Sequence, residues 1–128
     1  MLRFILAISV VVLTSFTPSG VYEQYHAEVE SVYDGDTFTA TIDVGFDIKL
    51  DNQKIRLYGI DAPEVRGEER PEGLKSRDAL RELIDGKDVV IINRGRGKYG
   101  RIIAEIHLDT INVSMWMVES GFAEYREY

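Results

Sequence analysis

The sequence predicts an α+β domain, a small β-barrel with two or so helices packed on it. Three observations carry this. Apolar and β-branched residues recur mainly with period two from Tyr25 to Gly59. The spacing turns helical between Leu74 and Ile84, returns to strand-like over 88–92 and 101–108, and turns helical again after Asn112. A chain of 128 residues that is 45% apolar and 29% charged has the make-up of one globular domain, with no internal repeat or low-complexity linker to divide it.

The first twenty residues, "MLRFILAISVVVLTSFTPSG", stand apart. A lone basic residue, Arg3, precedes an apolar run from Phe4 to Leu13 and then small polar residues. This is the layout of a secretory signal. The run is short for a membrane span, which needs roughly 20 apolar residues. Residues 1–20 are therefore expected to direct export (secreted, periplasmic or envelope-associated), and residues 21–128 to fold. An uncleaved anchor and an extra buried strand are the alternative readings.

The remaining elements follow in order. His26 to Tyr33 alternates as a strand, Asp34-Gly35-Asp36 is a turn, and Thr37 to Ile42 is the return strand. Phe46 to Leu50 is expected as a third strand, Asp51-Asn52 as a turn and Lys54 to Gly59 as a fourth strand. A charged loop, Glu64 to Glu72, contains Gly67 and Pro71, with Gly73 after it as a further breaker. In "LKSRDALRELIDG", Leu74, Leu80, Leu83 and Ile84 have roughly helical spacing, and Gly86 is the stop. Two further strands cover 88–92 and 101–108. Asn112 is the expected N-cap of a short helix with Val113, Trp116, Met117 and Ser120 on one face, ended by Gly121.

Charge supplies the functional clues. The formal net charge is −7, which taken alone argues against a phosphate-binding partner and suits a divalent cation. With no cysteine there is neither a disulfide nor a thiolate metal site. Yet "NRGRGKYGR" holds Arg94, Arg96, Lys98 and Arg101, with no acid between Asp88 and Glu105. Arg94 and Arg96 read either as a solvated hairpin tip or as a loop touching substrate phosphates. Two carboxylate clusters lie elsewhere, Asp34 with Asp36, and Asp61 with Glu64. Pro63 forces an extended kink before Glu64. Three of these carboxylates can converge at strand ends, an oxygen set for Ca²⁺ or Mg²⁺ rather than Zn²⁺. Taken singly, each cluster also reads as a turn or strand end with surface charge.

In order, "VYDGDTF", "IRLYGIDAPE", "GKYGR" and "VSMWMVESGFA" resemble the staphylococcal nuclease (thermonuclease) family. The likeness runs from about Tyr25 to the end of the chain. It implies a five-stranded OB-fold barrel and a calcium-dependent nuclease acting on DNA, RNA or both with little sequence preference, leaving 3′-phosphate ends. By resemblance, Asp36, Asp61 and the carbonyl of Ala62 hold Ca²⁺. Glu64 acts on the attacking water, Arg56 and Arg101 grip the scissile phosphate, and Lys98 and Tyr99 contact the substrate. Asp34 backs the metal ligands. Tyr125 and Tyr128 are candidates for base stacking, while Trp116 is expected in the core and neither His26 nor His107 is assigned catalysis. Two differences from the best-known member are the acids Glu68, Glu69 and Glu72 in a loop that is lysine-rich there, and a chain that stops before that member's last helix. The first lowers the expected grip on phosphates. A monomer is expected, without a stable protein partner. The competing readings are a non-catalytic OB-fold nucleic-acid binder and an envelope-anchored calcium-binding module.

Overall fold

In a computed structural model, residues 23–127 are described. The proposed signal segment and Tyr128 lie outside them. Strands β1 (Gln24–Val32), β2 (Thr37–Asp43) and β3 (Lys49–Leu57) form an antiparallel meander. A two-residue strand, β4 (Ile60–Asp61), follows β3. After helix α1 (Arg70–Ile84) come β5 (Asp88–Arg96) and β6 (Ile102–Leu108). β5 pairs with β1 and with β6, and β6 runs parallel to β3, so five strands close into a barrel. This is the OB-fold. The short β7 (Ile111–Asn112) leads into α2 (Val113–Glu119), and β8 (Glu124–Tyr125) pairs with β4.

Alternation places Val29, Phe38, Ala40, Ile42, Ile55, Leu57, Ile91, Ala104 and Ile106 inside the barrel. Leu80 and Ile84 from α1, and Val113 and Met117 from α2, join the same cluster. Fully burying one such aliphatic or aromatic side chain contributes about 1.5–3 kcal/mol. Register slips between Val29 and Ser31 on β1, and against Ala40 and Ile42 on β2, are bulges of the kind that bend strands enough to close a barrel.

Two local expectations are corrected. Asp51-Asn52 is no turn: Lys49 to Leu57 is one strand, and Asn52, at φ 55°, is the extra residue of a bulge. Phe46 consequently lies at the β2–β3 hairpin tip, outside any strand. Pro71 and Gly73 are not breakers either. α1 starts at Arg70, where proline fits the first turn because no intrahelical bond to its nitrogen is needed there, and Gly73 lies within the helix. Other expectations hold. Gly86 follows α1 with φ +69°, the side chain of Asn112 accepts a hydrogen bond from the Met115 amide at 3.2 Å, and Trp116 packs against the core and stacks on Phe122. Among the described residues no helix is long and apolar enough to cross a membrane.

Candidate active site

The site forms where the β1–β2 turn, the β4 end and α1 meet. Asp34 is buried, and its Oδ1 accepts the amide of Asp36 at 3.0 Å, a side-chain turn that aims Asp36 inward. Asp36 Oδ1 accepts from the Thr37 hydroxyl at 3.0 Å, and Oδ2 accepts from the Ala62 amide at 2.9 Å. The close approach depends on two glycines. A Cβ on Gly35 would lie 1.8 Å from Ser76 Oγ and 2.7 Å from the Ala62 Cβ, and one on Gly73 would lie 2.0 Å from the carbonyl oxygen of Glu64. Ser76, buried on α1, donates to the Phe122 carbonyl at 2.8 Å and ties this junction to the segment after α2.

Arg56, near the end of β3, is 7% exposed. Nη1 donates to the Ile60 carbonyl at 3.1 Å, while Nη2 faces Asp36 Oδ2 at 3.5 Å and binds Asp61 Oδ1. Asp61 also receives Arg126 Nη1 at 3.2 Å, across the β4–β8 pair. Barrel closure sets the second arginine. Ile55 pairs with Ile102 across β3 and β6, so Arg101 enters beside the strand carrying Arg56. Gly100 at φ +73° makes the turn that delivers it. Arg101 lies 6.0 Å from the centroid of the exposed Tyr99 ring, and its buried Nε has no hydrogen-bond partner among the described residues.

Asp34, Asp36, Arg56, Asp61, Glu64, Tyr99 and Arg101 line a single cleft of about 970 Å³. An adjoining pocket of about 540 Å³ is lined by Asp61, Ala62, Glu64 and the Gly121–Glu124 segment. Lys98 is exposed and is not among the residues lining either. Arg94 and Arg96 also turn elsewhere. Arg94 pairs with Glu105 at 2.8 Å and lies over the Tyr58 ring, and Arg96 donates to the Gly100 carbonyl at 3.0 Å. Tyr125 is exposed on β8. Sequence reasoning missed Arg66, Arg70, Arg77, Arg81 and Arg126, which with Lys54, Arg56 and Arg101 give the cleft eight cations against four carboxylates. The spacing of Arg70, Arg77 and Arg81 along α1 was the signal that could have found three of them.

Local potential runs opposite to the bulk charge at the wall and with it at the floor. Asp34 is pushed up to about 7, first by burial and then by the neighbouring charge of Asp36, with Glu64 adding to it. The donors at hand are the carboxylates of Asp36 and Asp61 and the Ala62 carbonyl, all oxygen. No three His, Asp or Glu side chains among the described residues gather about one point. Two carboxylates, a carbonyl and water fit a hard cation such as Ca²⁺, and lack the nitrogen or sulfur that Zn²⁺ favours.

The fold and site define a closed OB-fold barrel whose cleft sets Arg56 and Arg101 among Asp34, Asp36, Asp61 and Glu64. A family model described as "Staphylococcal nuclease homologue" matches residues 54–128. The chain belongs to the staphylococcal nuclease family. It is 35% identical over 108 residues to a protein of Escherichia coli named an uncharacterized endonuclease, covering 80% of this chain and 63% of that one. It is 30% identical over 127 residues to one of the same name from Haemophilus influenzae, covering 98% of this chain and 67% of that protein. A probable staphylococcal-like nuclease of Oryza sativa subsp. japonica is 37% identical over 70 residues, 55% of this chain and 18% of its own. The chain thus spans less than two thirds of the Escherichia coli relative's length.

Proposed function

We propose that this chain is a calcium-dependent nuclease that hydrolyses the phosphodiester bonds of DNA, RNA or both with little sequence preference. The observation that carries the reading is the placement of buried Arg56 on β3 and of Arg101 just before the parallel β6, in one cleft with Glu64, Asp36 and Asp61. Each guanidinium is a permanently charged planar fork matched to two phosphate oxygens. Lining one cleft, the pair supports the negative charge that grows on those oxygens as phosphorus becomes five-coordinate. Glu64 accepts a proton from water as its oxygen bonds to phosphorus. The bond from phosphorus to the 5′-oxygen breaks, that oxygen takes a proton from bulk water and leaves as an alcohol, and the phosphate stays on the 3′ side. Asp36, Asp61 and the Ala62 carbonyl would hold Ca²⁺, which supplies Lewis-acid charge at the phosphate. Asp34, bonded to the Asp36 amide, keeps Asp36 in place. Tyr99 offers an exposed ring to a base, and Lys98 adds charge at the rim.

The test is incubation of residues 21–128 with denatured DNA in Ca²⁺ and then in chelator, with Glu64→Ser as a control for contaminating nuclease. Calcium-dependent fragments ending in 3′-phosphate, absent with the variant, are expected. A gel shift without cleavage would leave a nucleic-acid binder and overturn the catalytic reading.

A further inference from the structure

The acids of the 68–72 stretch lead one to expect a poor grip on nucleic acid beyond the scissile phosphate, but α1 reverses this. Arg70, Leu74, Arg77 and Arg81 stand at i, i+4, i+7 and i+11, one helix face, and all four line the cleft that holds Arg56 and Arg101. Two of its three acids have partners of their own: Glu72 pairs with Lys75 at 3.5 Å, and Glu69 accepts the amide of Glu64. Arg77 carries one local counter-charge, exposed Asp78 at 3.1 Å. Arg81 donates from Nε and Nη2 to the Val32 carbonyl at 3.2 and 3.1 Å, which fixes its guanidinium at the end of β1. Tyr33 follows directly; its ring is 53% exposed and lines the same cleft.

We infer that Arg77, Arg81 and Tyr33 form a second, non-catalytic nucleotide subsite, in which each arginine binds a backbone phosphate and the ring stacks on an unpaired base of the strand being held. The inference rests on the proposed function only for the position of the scissile phosphate, at Arg56 and Arg101. From Arg70 to Arg81 the face runs about 16 Å, too long for a mononucleotide and suited to a strand of several nucleotides. A track of cations with exposed rings is how single-stranded nucleic acid is held without reading its sequence.

Binding is measured in chelator by fluorescence anisotropy, with a labelled single strand of about twelve nucleotides and with a dinucleotide, over a range of salt. Each phosphate contact contributes about −0.7 to the slope of log K against log salt, so Arg77→Gln with Arg81→Gln should flatten the slope by about 1.4. Affinity for the long strand should fall about tenfold or more, and that for the dinucleotide by less than about twofold. Tyr33→Ala should weaken long-strand binding by about fivefold or more without changing the slope. Thermal melting checks folding. Arg77→Gln alone, expected to flatten the slope by about 0.7, serves if loss of the Val32 bonds unfolds the double variant. With the unmodified protein, affinity should continue to rise with length beyond two nucleotides. A plateau there, or unchanged slopes in the variants while Arg101→Ala abolishes cleavage, would overturn the subsite and leave the nuclease reading standing. Binding with the expected dependences but no cleavage would keep the subsite and defeat the nuclease reading. Absence of binding would defeat the subsite, and absence of cleavage in Ca²⁺ as well would defeat both.

Discussion

Alanine in place of Gly73 separates a helix that merely covers the barrel from one that sets the position of Glu64. In an open helix interior this exchange stabilises by about 1 kcal/mol. Here the added Cβ would lie 2.0 Å from the Glu64 carbonyl oxygen and 2.8 Å from the Val65 nitrogen, backbone atoms that cannot rotate away. Reaching an ordinary contact of 3.4 Å requires a shift of 3.4 − 2.0, or 1.4 Å. Overpacking of this kind costs about 1–3 kcal/mol, and a backbone obstacle places it at the upper end, so the net loss is about 2 kcal/mol. The displaced atoms carry the proposed catalytic carboxylate, and a misplacement of about 1 Å costs about 10²-fold in rate. Urea denaturation and cleavage of denatured DNA, run on one preparation, should show both losses. A variant more stable than the parent with full turnover would refute this account of the α1 contact.

Three other outcomes are expected. Arg101→Ala should lower turnover by about 10³-fold or more, with little change in melting temperature, because the buried Nε it removes has no hydrogen-bond partner among the described residues; turnover within about threefold of the parent would remove Arg101 from the phosphate clamp. Asp34 has its folded pKa raised to about 7, so folding retains a proton that the unfolded chain releases near pH 4. Its contribution to stability is therefore full below about pH 4 and declines as pH rises through about 7. Asp34→Asn keeps the acceptor for the Asp36 amide, and in chelator its advantage over the parent should be small at about pH 4 and grow as pH rises through about 7. A pH-independent difference in denaturation midpoints would contradict that origin. Asn112→Ala should cost about 1 kcal/mol by leaving the Met115 amide uncapped, read as a lower melting temperature with unchanged turnover.

The floor of the candidate site was legible because local motifs carry it. Asp34 and Asp36 belong to one turn, Asp61 and Glu64 to one strand end with its proline, and Arg101 to a glycine-marked strand entry. Each stands where short-range backbone chemistry puts it, and the barrel only brings them together. What escaped notice depends on neighbours far along the chain. Asn52 carries the positive φ of a turn residue, but β2 continues beside it and turns the irregularity into a bulge. Gly73 resembles a breaker until Glu64 is seen pressed against it. The arginines of α1 are interspersed with Glu72, Asp78 and Glu82, so their common face shows only once the helix phase is known.

The β3–β6 closure has a consequence for when the molecule can act. Arg56 and Arg101 come into one cleft only when two strands distant in the chain lie side by side, with Ile55 beside Ile102. Such contacts form slowly and late, after loop-closure entropy has been overcome. A partly folded chain thus contains every side chain of the proposed phosphate clamp and still has no clamp. The same closure that completes the core would complete the proposed clamp, so cleavage should appear no earlier in refolding than the β3–β6 pairing.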